Sequence, residues 1–196
     1  MRNLIVILVL FVTTLVVHAE DFNWRTGDGT KAPNTKNQKS ISGFGGWLLV
    51  TPDKDWEEKW NTPKENIPHF SEAEEVELGE ELTILPFFAN PKLDENRYFK
   101  ILCDIKIIKP HGSFSINEID VPCAEGIMED DPMSIFLTQT VIKYIGEAGD
   151  PYGEWTVFFN MKDSVRNVEI PLETSFRLVK SKANKSTLPT ANASAD

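Results

Sequence analysis

Residues 167–179 read Asn-Val-Glu-Ile-Pro-Leu-Glu-Thr-Ser-Phe-Arg-Leu-Val, and their alternation decides the fold class. Val168, Ile170, Leu172, Phe176 and Leu178 share one face with Thr174, while Asn167, Glu169, Glu173, Ser175 and Arg177 take the other. Successive side chains of a strand point to opposite faces, so a period of two marks a strand with one buried and one wet side. Just upstream, Trp155, Val157, Phe159 and Met161 alternate with Glu154, Thr156, Phe158, Asn160 and Lys162. The polar run Asp163-Ser164-Val165-Arg166-Asn167 separates the two segments and predicts a hairpin.

Working outward, Ile101, Cys103, Ile105 and Ile107 form another period-two stripe. Pro110-His111-Gly112-Ser113 then turns the chain into a short strand around Phe114-Ser115-Ile116, a second hairpin. Met133 to Ile145 is a β-branched and aromatic run, and Gly46 to Thr51 is a first strand. Glu80 to Phe88 is a further strand, in which Pro86 predicts an edge or a bulge. Only Asp53 to Trp60 and Ser71 to Glu75 read as helical, the former placing Trp56 and Trp60 on one face to pack it onto the sheet. About seven strands without alternating helices exclude a parallel α/β sheet. They predict an all-β, antiparallel two-sheet β-sandwich with one short helix, ahead of a small barrel.

Gly149-Asp150-Pro151-Tyr152-Gly153-Glu154-Trp155-Thr156-Val157 resembles the turn and penultimate strand of immunoglobulin-like sandwich modules, where a Pro/Gly turn leads into Gly-x-aromatic-x-hydrophobic. The resemblance covers residues 80–180 and implies an immunoglobulin-like fold, without implying an activity. The chain departs from the antibody type, because neither Cys lies on the penultimate strand and Trp155 does not sit on a middle strand facing a disulfide. Antigen-receptor functions are therefore not implied.

Arg2, the apolar run Leu4 to Val17 and the small-x-small Val17-His18-Ala19 read as a cleaved signal peptide over residues 1–19. That places the protein outside the cytoplasm, periplasmic or secreted, with no membrane span after cleavage. Residues 20–42, rich in Gly, Asn, Thr and Lys, are expected to be a flexible N-terminal arm, and 43–180 the β-sandwich domain. Residues 181–196, with N-x-S sequons at Asn184 and Asn192, are expected to be a disordered tail. The domain is long enough to bury about two-thirds of its unfolded surface.

The 196 residues include 30 acidic and 20 basic side chains, a formal charge of −10. Binding to a phosphate backbone needs clustered Lys and Arg, so nucleic acid is not an expected partner, and neither is an anionic lipid surface. A cationic protein, a divalent metal or an uncharged ligand suits the balance better.

The candidate chemistry is sparse. Cys103 and Cys123, an even pair in an exported chain, are expected to form a disulfide stapling the loop before Ala124 to the sheet. Its loop-closure gain would be roughly 3 kcal/mol. Two buried free thiols are the alternative, and a redox pair would want the C-x-x-C spacing that is missing. His69 and His111 are the histidines beyond the leader, both in loops, and no G-x-S-x-G accompanies them. No G-x-G-x-x-G or Walker loop is present either, since Gly43-Phe44-Gly45-Gly46 leads into a strand. Glu125, Glu129, Asp130 and Asp131 form an acidic cluster that would take Ca²⁺ if its oxygens converged, although no EF-hand pattern frames them. A solvated acidic surface is the plainer reading, and no cofactor is predicted. The doublets Phe87-Phe88 and Phe158-Phe159 point to opposite faces of their strands, so one ring of each lies off the main core.

Together these readings predict an exported, non-catalytic binding or accessory module that contacts a protein partner, a cationic one by charge, through loops or a sheet edge. The alternative is a metal-assisted or carboxylate-based hydrolase using the acidic loop 125–131 and His69 or His111. A subunit pairing through an edge strand marked by Pro86 is a third reading.

Overall fold

The alternation over 153–179 becomes a hairpin in the computed structural model, paired antiparallel from Val168↔Asp163 to Leu178↔Gly153. The structure describes residues 22–63 and 66–181. In chain order the strands are β1 (Gln38–Ile41), β2 (Phe44–Thr51), β3 (Glu75–Glu77), β4 (Glu81–Ala89), β5 (Tyr98–Ile108), β6 (Phe114–Ile127), β7 (Ile135–Leu137), β8 (Ile142–Ile145), β9 (Gly153–Asp163) and β10 (Val168–Val179). The one helix among the described residues is α1 (Trp56–Trp60). Ten strands thus stand where about seven were expected, because strands of three or four residues are too short to display a period.

The strands form two sheets and give an all-β sandwich. One sheet runs β1-β2-β4-β7, with β8 also on β4; the other runs β3-β10-β9-β5-β6. All pairings are antiparallel except β3 on β10. The inward stripes meet between the sheets: Phe44, Leu48, Ile84 and Phe88 from the first face Ile101, Ile105, Trp155, Val157, Phe159, Ile170, Leu172 and Phe176 from the second. Gly46 marks a close approach of the two sheets. A Cβ there would lie 3.2 Å from Leu172 Cδ1 and 3.3 Å from Ile170 Cγ2 and Met161 Sδ, so the missing side chain lets the sheets close.

Several expectations need correction. Pro86 does not mark an edge, because β4 is a central strand with β2 on one side and β7 and β8 on the other. A strand residue's N–H and C=O point to the same side, and Pro86 O accepts from Thr138 N at 3.0 Å. The absent N–H therefore faces the β7/β8 side. The run expected as one strand over Met133 to Ile145 accordingly breaks into β7, on Phe87–Ala89, and β8, on Glu81–Ile84. The intervening chain turns to the other sheet, where Gln139 N donates to Cys123 O at 2.8 Å and Thr140 Oγ1 to Pro122 O at 3.0 Å.

Ser71–Glu75 is not helical; it runs extended into β3. The described part of the expected arm, 22–42, is seated on the first sheet at both its ends. Phe22 and Trp24 are 8% and 7% exposed against Ala89, Ala32 and Trp47, Trp24 Nε1 donates to Lys39 O at 2.8 Å, and β1 pairs with β2. Composition hid this because two aromatics suffice to anchor a polar stretch whose backbone bonds to a sheet. The helix α1 seats Trp56 and Trp60 with Phe70 on Leu49, Leu85 and Phe87, covering the outer face of the first sheet. Phe87 and Phe88 are divided between that cluster and the main core. The leader expected over 1–19 and the tail from 182 onward lie outside the described residues. No helix among the described residues is long and apolar enough to cross a membrane.

Candidate functional site: the outer face of the second sheet

The inward residues of β5, β9 and β10 are consumed by the core, so their alternates form the opposite face of the second sheet. Register sets them in rows. Lys106 pairs with Phe158, which pairs with Glu173; Asp104 pairs with Asn160, which pairs with Pro171; Leu102 pairs with Lys162, which pairs with Glu169. Phe114, at the start of β6 and 53% exposed, pairs with Ile108 beside them.

A groove of 400 Å³ opens on this face, lined by Asp104, Lys106, Ile108, Phe114, Phe158, Asn160 and Pro171. That size falls within the roughly 300–1,000 Å³ of small-molecule sites. Half-buried Phe158 forms its middle, with Ile108, Phe114 and Pro171 as further apolar wall. One end is polar and fixed: Lys162 Nζ donates to Asp104 Oδ1 at 2.6 Å and to Asp120 Oδ1 at 2.8 Å, and Asp120 N donates to Asp104 Oδ1 at 3.1 Å. Asn160 Nδ2 donates to Glu169 Oε2 at 2.7 Å and Asp104 Oδ2 at 3.5 Å. Burial pushes the Asp104 carboxyl upward, but the hydrogen bonds from Lys162, Asp120 and Asn160 outweigh it and hold the group below the usual aspartate value. The same bonds to Asp104 and Asp120 raise Lys162. Both ions therefore stay charged at neutral pH, and the polar end keeps a fixed pattern of donors and acceptors.

Along β10 this face turns acidic. A second groove of 490 Å³ is lined by Asn37, Glu74, Glu75, Glu154, Glu173 and Arg177 among others. Glu173 is bridged by Lys36 Nζ at 2.8 Å, a hydrogen bond that raises the lysine. Among the described residues, no group of three or more His, Cys, Asp or Glu is placed to hold a metal ion.

The residues singled out by sequence lie elsewhere. Cys103 and Cys123 are joined and fully buried, with Cα atoms 5.9 Å apart. Cys123 is a residue of β6, not of a loop, so the bond ties two neighbouring strands where their register shifts. Glu125 sits on β6 with Tyr98 Oη at 3.2 Å and Lys100 Nζ at 3.5 Å. Asp131 Oδ1 accepts from Met133 N at 3.0 Å, a turn contact, and the carbonyl of Asp130 accepts from Arg97 Nη2 at 3.2 Å. Glu125, Glu129, Asp130 and Asp131 do not converge on a cation-sized point. His69 and His111 are exposed in a loop and a turn. Sequence reasoning placed Phe158 off the core but missed Asp104, Lys106, Asn160 and Pro171 as its surroundings. Parity alone assigned them outward, and only the strand order β10-β9-β5 brings them together.

No family model matches the chain, and no curated protein does. Among solved structures, the chain resembles a family 123 glycoside hydrolase from Clostridium perfringens that hydrolyses glycolipid glycans, at 9% identity and a TM-score of 0.38. The likeness covers 69% of this chain and 27% of that one, so the chain spans about a quarter of its length. At that score it assigns no activity. The expectation of a non-catalytic accessory module is corrected to this extent: none of the comparisons supports it.

Proposed function

We propose that the protein binds a saccharide in the groove around Phe158. The observation carrying this reading is the combination of one half-buried aromatic ring at the groove's centre with a rigid hydrogen-bonding end. A sugar ring has an apolar face of C–H groups and a rim of hydroxyls. It therefore asks for an aromatic platform and, within reach of it, acceptors and donors that are already fixed. Phe158 supplies the platform, Ile108, Phe114 and Pro171 extend it, and Asp104 and Asn160 supply acceptor oxygens at its edge. Because Asp104 is held by Lys162 and Asp120, it needs no reordering when a hydroxyl arrives, which lowers the cost of binding.

We further read the sandwich as immunoglobulin-like and its setting as extracytoplasmic. The Gly149 to Val157 pattern supports the first, and the disulfide supports the second, since such bonds persist in oxidising compartments.

The test is titration of the protein with short oligosaccharides, followed by amide chemical shifts and calorimetry. Binding is expected to perturb β5, β9 and β10 and to weaken at least about tenfold in Phe158→Ala, a loss corresponding to about 1.4 kcal/mol. The Phe158 side chain faces away from the core, so a matched thermal midpoint checks that the variant is folded. Equal affinity of a folded Phe158→Ala would overturn the reading, as would the absence of any binding at millimolar sugar.

A further inference from the structure

We infer that Lys106 makes this groove selective for acidic saccharides, its ammonium receiving the sugar carboxylate while the ring lies on Phe158. The inference rests on the saccharide reading and names the ligand class within it. Lys106 and Phe158 are directly paired across β5 and β9, so their side chains stand beside each other on the outer face. Cβ atoms of such cross-strand partners lie about 4.5–5.5 Å apart. Lys106 is exposed and lines the groove, and its ammonium makes no hydrogen bond or ion pair among the described residues.

The neighbouring cations of the same face are already committed. Lys162 holds Asp104 and Asp120, and Lys36 holds Glu173, the residue on the far side of Phe158. Lys106 therefore has its full donor capacity available to a ligand, and a sugar carboxylate would accept a charge-assisted hydrogen bond from it, about twice as strong as a neutral one. The carboxylates bordering the groove, Asp104 and Glu173, are each paired with a lysine, and the rest of the formal charge of −10 lies farther off. At physiological ionic strength the field of distant carboxylates is screened beyond about 8 Å, whereas Lys106 acts on a group it touches.

The experiment compares two probes of one shape, a tetramer of galacturonic acid and its fully methyl-esterified counterpart, by calorimetry on the full chain at 150 mM salt. The acid is expected to bind about fivefold more tightly than the ester, the scale of an exposed ion pair, and Lys106→Gln is expected to bring that ratio to one. Equal affinities in the native protein would overturn the inference, as would a preference that survives in Lys106→Gln. If acid and ester bind alike and Phe158→Ala abolishes both, the groove stands and the role of Lys106 falls. If neither probe binds while another oligosaccharide does, the role of Lys106 falls and the groove stands; if no sugar binds, or a folded Phe158→Ala changes neither affinity, both readings fall together.

Discussion

The buried carboxylate of Asp163 holds the guanidinium of Arg166 in place, and Arg166 in turn joins the two sheets at one end of the sandwich. Asp163 is 1% exposed and accepts from Arg166 Nε at 3.4 Å and from the backbone N–H groups of Lys92, Val165 and Arg166 at 2.7, 3.2 and 2.9 Å. Arg166 Nη1 and Nη2 then reach the carbonyls of Ser42 and Asn90, at 2.9 and 2.8 Å. Those carbonyls follow β1 and β4, so a turn of the second sheet satisfies chain ends of the first.

Removing the carboxylate strands these donors in a dry site. Asp163→Ala is expected to cost about 3–5 kcal/mol, the scale of breaking a buried ion pair from one side. Asp163→Asn keeps one acceptor oxygen and should cost less, about 2 kcal/mol. Urea unfolding checks both, and the loss should appear in the midpoint with little change in slope.

Cys103 and Cys123 close a loop of sequence separation 20 between β5 and β6. In the loop-entropy account such a bond contributes about 3 kcal/mol. A Cys103→Ala/Cys123→Ala double variant should lose at least that, since two fully buried sulfurs also leave the core. Because the bond is inaccessible, mild reductant should leave the folded protein oxidised, and thiol labelling should report cysteine only after denaturation.

The hairpins were legible in the sequence because β9, β10 and β5 are long enough to display a period of two, and the paired cysteines because two are all there are. What stayed hidden depends on contacts remote in sequence. Glu75–Glu77 is a strand only because β10 offers it an edge, and Phe22 and Trp24 are core only because Ala89 and Trp47 receive them. Pro86 carried the right local message, a missing donor, but its consequence fell on the partner strand, which splits, and not on the position of β4 in the sheet. The groove had a single legible member. Phe158 is identified by parity, but Asp104, Lys106 and Pro171 come from strands whose order no local pattern states.

Three aspartates are depressed, Asp28 to about 2 by hydrogen bonds from Thr26 and Thr30, and the partly buried Asp53 and Asp104, which contribute to the acid limb of stability. Burial raises Asp53, but Lys59 Nζ at 2.8 Å and the N–H of Ser71 at 2.8 Å outweigh it and lower the group, as Lys162 and its neighbours do for Asp104. A carboxyl whose folded value lies below its unfolded one contributes stability that is complete above the ordinary value of 3.8 and is lost as pH falls through the folded value. Unfolding free energy should therefore be flat from these groups at neutral pH and decline below about pH 4. An Asp53→Asn/Asp104→Asn variant should be less stable at pH 7 and show a shallower decline, measured by urea midpoints between pH 7 and pH 2.

Gly45 tests whether residues 22–35 are part of the folded body. A Cβ at Gly45 would lie 2.5 and 2.6 Å from Phe22 Cε1 and Cδ1, closer than any real contact, so Gly45→Ala must displace that ring. Phe22 packs edge-on against Trp24 with ring centres 5.0 Å apart, and Trp24 against Trp47 at 6.2 Å, so the displacement has an optical reporter. Overpacking of this kind costs about 1–3 kcal/mol. The expected result is a fall in the urea midpoint together with a red-shifted, more quenchable tryptophan emission, as Trp24 loses its cover. Phe22→Ala in the Gly45→Ala background removes the clash and should recover part of the lost stability, a non-additive pair that a distant alanine substitution would not produce. Unchanged emission and additive losses would show instead that the 22–35 segment is not seated on β2.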